Sequence, residues 1–134
     1  MIIFYKSKLA KLLLPNDIEA ITIGCMVFTA RPMLAFETKN HERTHVAQWT
    51  ECLFMSLPMC IMLAWQMNCW AFILLSPIMF YLIYGIDYVR LRLSGYSHDD
   101  AYMLIAFERE AYEHERNESY NLLRKPLAWL SKFK

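Results

Sequence analysis

The residues best placed to do chemistry are His41, Glu42 and His45, in the stretch "NHERTHVAQW" (residues 40–49) of a chain with only 4 histidines. Two histidines four apart on a helix lie one turn apart on one face, so both imidazoles can reach the same ion. Glu42 stands beside them, placed for a water rather than for the ion. This is the H-E-x-x-H arrangement, and the chemistry it suits is hydrolysis with one zinc ion as cofactor. Zinc lowers the pKa of water and polarises a carbonyl, while Glu42, as catalytic base, takes the water's proton and passes it to the leaving amine. The alternative is a charged helix that carries the pattern by chance.

A catalytic zinc needs a third protein ligand and an open position for water. On a helical wheel started at Ala101, the positions Ala101, Leu104, Ile105, Glu108, Ala111 and Tyr112 form one stripe with Glu108 near its middle. A carboxylate that faces a core must be paired, metal-bound or protonated. Glu110 projects about half a turn away, toward Arg109, Glu113, Arg116 and Asn117, the expected solvated face. Glu108 is therefore the expected third ligand, the alternative being a core glutamate paired with Arg31 or Arg43. Gln48 and Trp49 share the motif's inner face, and Gln48 is a candidate to bond a ligand's carboxylate. His98, Tyr102, Tyr112 and His114 are candidates to stabilise an oxyanion, with ordinary packing as the alternative for each.

"HERTHVAQW" followed by "AFEREAY" resembles the gluzincin pattern, H-E-x-x-H with a later helix bearing E-x-x-A, here Glu108 to Ala111. The chain is similar to small zinc metallopeptidase-like proteins in which H-E-x-x-H-x-x-Q-W precedes an apolar stretch and an F-E-R-E-A-Y segment. More distantly it resembles the membrane-embedded CAAX-prenyl-protease class. The resemblance runs from about Ile21 to Tyr112. It implies His41, His45 and Glu108 as zinc ligands, Glu42 as base, and a peptide or protein substrate. Tyr112 departs from the pattern, standing where the larger membrane proteases have an aspartate that orients a histidine ligand.

The elements that must position these residues are unusually apolar. Hydrophobic residues make up 57% of the 134 and charged ones 20%, a balance that points toward membrane lipid as a partner. A net charge of +1, with no basic stripe interleaved with aromatics, argues against nucleic acid. Between Glu51 and Asp87 no residue is charged. That run is too long for one ordinary span and slightly short for two. Its most polar point, "WQMN" (65–68), divides it, and each part carries a proline, Pro58 and Pro77. A helical hairpin over about 52–86 is expected, crossing or dipping into a bilayer. The alternative is a hairpin buried in a water-soluble fold. Trp65, Trp70, Tyr81, Tyr84 and Tyr88 suit either an interfacial belt or a packed core.

If the site is real, the chain must return to the side it left, so a single span is excluded. Lysines and arginines flank the run on both sides, which by the positive-inside tendency places the site at the cytoplasmic face. Before the motif, "EAITIGCMVFTARP" reads as one strand or a hairpin through Gly24, and residues 20–28 as an edge strand could align an extended peptide. After the run, Ser97 and Asp100 have capping-box spacing, so a helix is expected from near His98 to about Asn117. The start, "MIIFYKSKLAKLLLP", with Lys6, Lys8 and Lys11, reads as a basic segment at a membrane surface rather than a signal peptide. The tail around Trp129 reads as a second such contact. Cys25, Cys52, Cys60 and Cys69 read as buried thiols in a reducing compartment.

The expected fold is one mainly α zincin-like domain over 1–134 with a short β element, its apolar hairpin lying between the two ligand-bearing helices. The expected function is membrane-associated zinc-dependent peptide hydrolysis. Its rivals are a zinc-stabilised membrane adaptor, with His98 or His114 as a fourth ligand, and a membrane-interaction protein whose motif is accidental.

Overall fold

The β-branched stretch ahead of the histidine motif folds as an antiparallel hairpin, β2 (Ala20–Ile23) and β3 (Met26–Thr29), turned through Gly24 and Cys25. Gly24 has φ +64°, where a side chain is strained, and a Cβ there would meet the Trp49 ring at 3.4 Å. A third strand, β1 (Ile2–Phe4), pairs in parallel with β3, with Phe4 stacked on Phe28 at 5.0 Å. The strand order β1-β3-β2 leaves β2 at an edge.

The computed structural model describes residues 1–13 and 18–133. The first residues of the basic N-terminal segment are thus a strand, because their main chain finds partners on β3. The helix α1 (Lys8–Leu13) follows, and the end of that expected segment, residues 14 and 15, lies outside the described residues.

The mainly helical character with a short β element is as expected, but the hairpin is joined differently. One helix of 31 residues, α2 (Phe36–Gln66), carries both the histidine motif and the first apolar arm. The hairpin therefore does not sit between two separate ligand helices: its first arm continues the first of them. Pro58 falls inside α2, where it removes one helical N–H donor without ending the helix. The break comes at the polar point, with Asn68 at φ 49°. The return arm is a 3-10 segment, Trp70–Ile78, followed by α3 (Met79–Leu93). The Ser56 and Ser76 hydroxyls, 3.0 Å apart, join the arms, and Trp49 Nε1 donates to the Pro77 carbonyl at 2.9 Å.

Phe36–Gln66 and Trp70–Leu93 are each long and apolar enough to cross a membrane. Their outer faces are uncovered: Phe54, Met59, Met62, Trp65, Trp70 and Leu74 are all exposed.

The expected single helix from His98 to Asn117 is two. Ser97 caps α4 (His98–Leu104), its Oγ accepting from the Asp100 N–H at 3.1 Å. The chain then turns extended at Ile105 (ψ 132°), and buried Asp87 on α3 accepts the Ala106 N–H at 2.8 Å to start α5 (Ala106–His114). A carboxylate at a helix start satisfies an orphan donor and suits the local dipole. Beyond it lie α6 (Tyr120–Leu123) and a 3-10 turn at Ala128–Lys132.

Phe107 of α5 packs between Phe80 and Trp129, each ring centroid 4.6 Å away. Such aromatic pairs add about 0.5–1.5 kcal/mol each beyond area burial. Trp129 is therefore a core residue and not a membrane contact: it is 5% exposed, and its Nε1 donates to Glu51 at 3.1 Å. The cysteines are all free; Cys52 and Cys60 are buried as expected, whereas Cys25 and Cys69 are exposed, each beside a chain reversal.

Candidate metal centre

α2 presents His41 and His45 on one face, and α5 brings Glu108 against them. His41 Nε2 and His45 Nε2 are 3.0 Å apart. Glu108 Oε2 lies 3.3 Å from His41 Nε2, and its Oε1 lies 3.4 Å from His45 Nε2. All three side chains are buried, and one ligand atom from each falls within 4.8 Å of the others.

Gln48 fixes the state of His45. Its Nε2 faces two acceptors, the Phe107 carbonyl at 3.1 Å and Glu110 Oε2 at 3.0 Å, so it must be the amide nitrogen. Its Oε1 is then an acceptor, 2.8 Å from His45 Nδ1, which must carry the proton. The other ring nitrogen, Nε2, is aimed at His41 and Glu108, and there a metal would take the place of a proton. Gln48 thus bonds the imidazole and not the ligand carboxylate.

Glu108 accepts from the Tyr84 hydroxyl through Oε1 at 2.9 Å. Its Oε2 is the one buried side-chain atom without a hydrogen-bond partner among the described residues. An orphaned buried carboxylate oxygen beside two converging imidazole nitrogens is what a divalent cation would satisfy. Burial opposes the charge on Glu108, but His45 and His41 outweigh it and hold the carboxyl far below its ordinary value. Two histidines and a glutamate form a donor set of catalytic zinc sites, which keep their fourth position open. Among the described residues no fourth donor joins the cluster. The residues present fit zinc.

Two side-chain amides on α2 hold α5 in register. Asn40 Nδ2 lies 3.0 Å from each of the carbonyls of His114, Glu115 and Asn117, at the end of α5, while Gln48 reaches Phe107 at its start. Capping the last carbonyls of α5 satisfies groups a helix end leaves unpaired.

Glu110 corrects the sequence reading. It is fully buried, not solvated, and it is the arginine-paired glutamate: Arg124 Nε lies 2.5 Å from its Oε1, and Tyr120 donates to the same atom at 2.7 Å. Burial pushes its carboxyl up, but hydrogen bonds from Arg124, Gln48 and Tyr120 bring it below the ordinary value. Arg124 also pairs with Glu51 on α2. Neither arginine considered for Glu108 reaches it in the described contacts: Arg31 pairs with Glu19 at 3.7 Å and Arg43 is exposed.

Glu42 is buried beside the histidines. Its Oε2 accepts from the Thr22 hydroxyl at 2.5 Å, a bond that ties the edge strand β2 to the motif. A cavity of about 260 Å³ opens on this group, lined by Ile21, Thr22, Phe80, Tyr81, Tyr84 and Tyr102 together with His41, Glu42, His45 and Glu108. A second, of about 380 Å³, shares His41, Glu42 and Tyr102 and adds Glu19, His98, Asp99, Tyr112 and Glu115.

The oxyanion candidates separate by position. Tyr102 lines both cavities, and Tyr112 lies with its ring 4.4 Å from that of His41. Burial first, and the Glu108 charge second, push both phenols above their ordinary value, so both keep the proton a donor needs. His98 lines the larger cavity with Nδ1 2.8 Å from the Tyr88 hydroxyl. His114 lies outside the lining of both cavities, stacked on Tyr120 at 3.7 Å. Tyr84, read as belt or core, packs against the aromatic core, and its hydroxyl also holds the Glu108 carboxylate.

Thr22, Asn40, Tyr84, Asp87 and Glu110 were not singled out in the sequence as supports of the centre. One available signal was Asp87, a carboxylate ending a long uncharged run. Searches of protein-family models, curated proteins and solved structures found no match to the chain.

Proposed function

We propose that the protein is a membrane-associated zinc metallopeptidase that hydrolyses peptide bonds, with His41, His45 and Glu108 as metal ligands and Glu42 as general base. The observation that carries this reading is the convergence of three buried donors, one with an orphaned oxygen, on a cavity that also holds a glutamate fixed by Thr22. Bound there, zinc would supply an acidified water and a polarised carbonyl. Thr22 occupies one oxygen of Glu42, leaving the other to accept a proton within the cavity and return it to the leaving amine. Tyr102 and Tyr112 carry phenolic protons suited to a developing negative oxygen. The uncovered apolar hairpin supports membrane attachment, and the lysines and arginines on both sides of it support a site at the cytoplasmic face.

Metal analysis and peptide cleavage by purified protein test this. Wild type is expected to hold one zinc per chain, His45→Ala none. Glu42→Gln is expected to keep the metal and to cleave about 10²–10⁴-fold more slowly. Wild type without stoichiometric zinc, or Glu42→Gln with unchanged cleavage, would overturn the reading. Zinc bound by a wild type that cleaves nothing would favour the adaptor.

A further inference from the structure

The hairpin turn places polar groups at the far end of the longest apolar surface of the molecule. The exposed residues Gln66 and Asn68 end the first arm, and Trp65 and Trp70 flank them, 77% and 59% exposed. The turn's N–H groups bond backward, from Met67 to Leu63, Asn68 to Trp65 and Cys69 to Ala64. The last carbonyls of α2 end there without further helical donors, as at any helix C-terminus. Such backbone, and two side-chain amides, are not tolerated against lipid hydrocarbon. Tryptophan favours the headgroup layer.

At the other end of the arm, Glu51 is held by Arg124 and Trp129. Polar structure therefore resumes there on the side facing the tail. From Cys52 to Gln66, 15 residues at 1.5 Å each give an arm of about 22 Å. A typical hydrocarbon core is about 30 Å thick.

From this we infer that the hairpin crosses a lipid bilayer completely, sets its Gln66–Cys69 turn in the opposite headgroup layer, and thins the bilayer around it. The inference rests on the membrane attachment proposed above and goes beyond it. A turn that stopped midway would leave its amides and carbonyls in hydrocarbon. Because the arm is short, the lipid adjusts to the protein, a mismatch that bilayers accommodate by local thinning. The turn carries no lysine or arginine, as suits the face away from the cytoplasm.

The chain carries its own probes. Cys25, beside the sheet, and Cys69, in the turn, are the exposed thiols, while Cys52 and Cys60 are buried. The full chain is expressed in a bacterial inner membrane, treated from the periplasmic side with a membrane-impermeant maleimide, and mapped by peptide mass. Cys69 is expected to label in intact cells, and Cys25 only after the membrane is opened. In vesicles, incorporation is expected to be higher in short-chain than in long-chain phosphatidylcholine. Chain in the membrane fraction with Cys69 protected from both sides, or with both thiols reactive from one side, would overturn the crossing. Preference for long-chain lipid would overturn the thinning. Recovery of the chain in the soluble fraction would instead overturn membrane attachment itself, leaving the zinc reading to its own test.

Discussion

The two halves of α2 bury opposite kinds of residue. In the first half the inward face is Asn40, His41, Glu42, Thr44, His45 and Gln48, all polar; in the second it is Cys52, Ser56, Cys60 and Ala64, all small, while the large apolar side chains point outward. The first half can bury polar groups because nearly every one has a partner on α5, on β2 or at the cluster. The second half buries small groups so that the two arms of the hairpin pack closely, and it leaves its large apolar side chains exposed. One helix thus carries a buried polar site at one end and an uncovered apolar face at the other.

The strongest way to break this contrast is to strand charge in the polar half. Arg124 has a side chain only 5% exposed and answers two carboxylates, Glu51 and Glu110. Arg124→Met leaves both without their cation, and breaking a buried pair from one side costs about 3–5 kcal/mol. Denaturation in mild detergent should show a loss of that size. A change of under about 0.5 kcal/mol, typical of ordinary surface substitutions, would mean that the network does not hold the two helices together.

A smaller effect tests the other half. Met59 is 49% exposed, so Met59→Asp should be nearly neutral in water; facing lipid it should disfavour insertion by about 2.5–3.5 kcal/mol. The fraction inserted into membranes, compared with wild type, decides between these media. The mildest test sharpens the polar half: Gln48→Leu removes the acceptor for His45 Nδ1. Zinc affinity, measured by chelator competition, should fall about 10–100-fold, as for other partners of metal-bound histidines. Unchanged affinity would show that Gln48 is a packing residue only.

The histidine motif, Glu108, the β-hairpin and the break at residues 65–68 were legible because each depends on local spacing, periodicity or turn chemistry. Glu110 was not. A helical wheel sets Glu110 opposite Glu108 and leaves that face to solvent; the wheel begun at Ala101 also presumes one straight helix, whereas α5 begins afresh at Ala106, capped by Asp87. Its opposite face is also covered, by Arg124 and Tyr120 from a tail whose basic residues and tryptophan suggested lipid. The same limit hid Thr22 behind Glu42: a threonine in a strand has no local mark that says its hydroxyl will meet a carboxylate 20 residues on.

The late arrival of Arg124 and Trp129 has a consequence for biogenesis. Both imidazoles and Glu108 precede Arg124 and Trp129 in the chain, so α5 has no clamp until the segment after it docks. Closure of the three-donor cluster and docking of that later segment should therefore be coupled steps in folding.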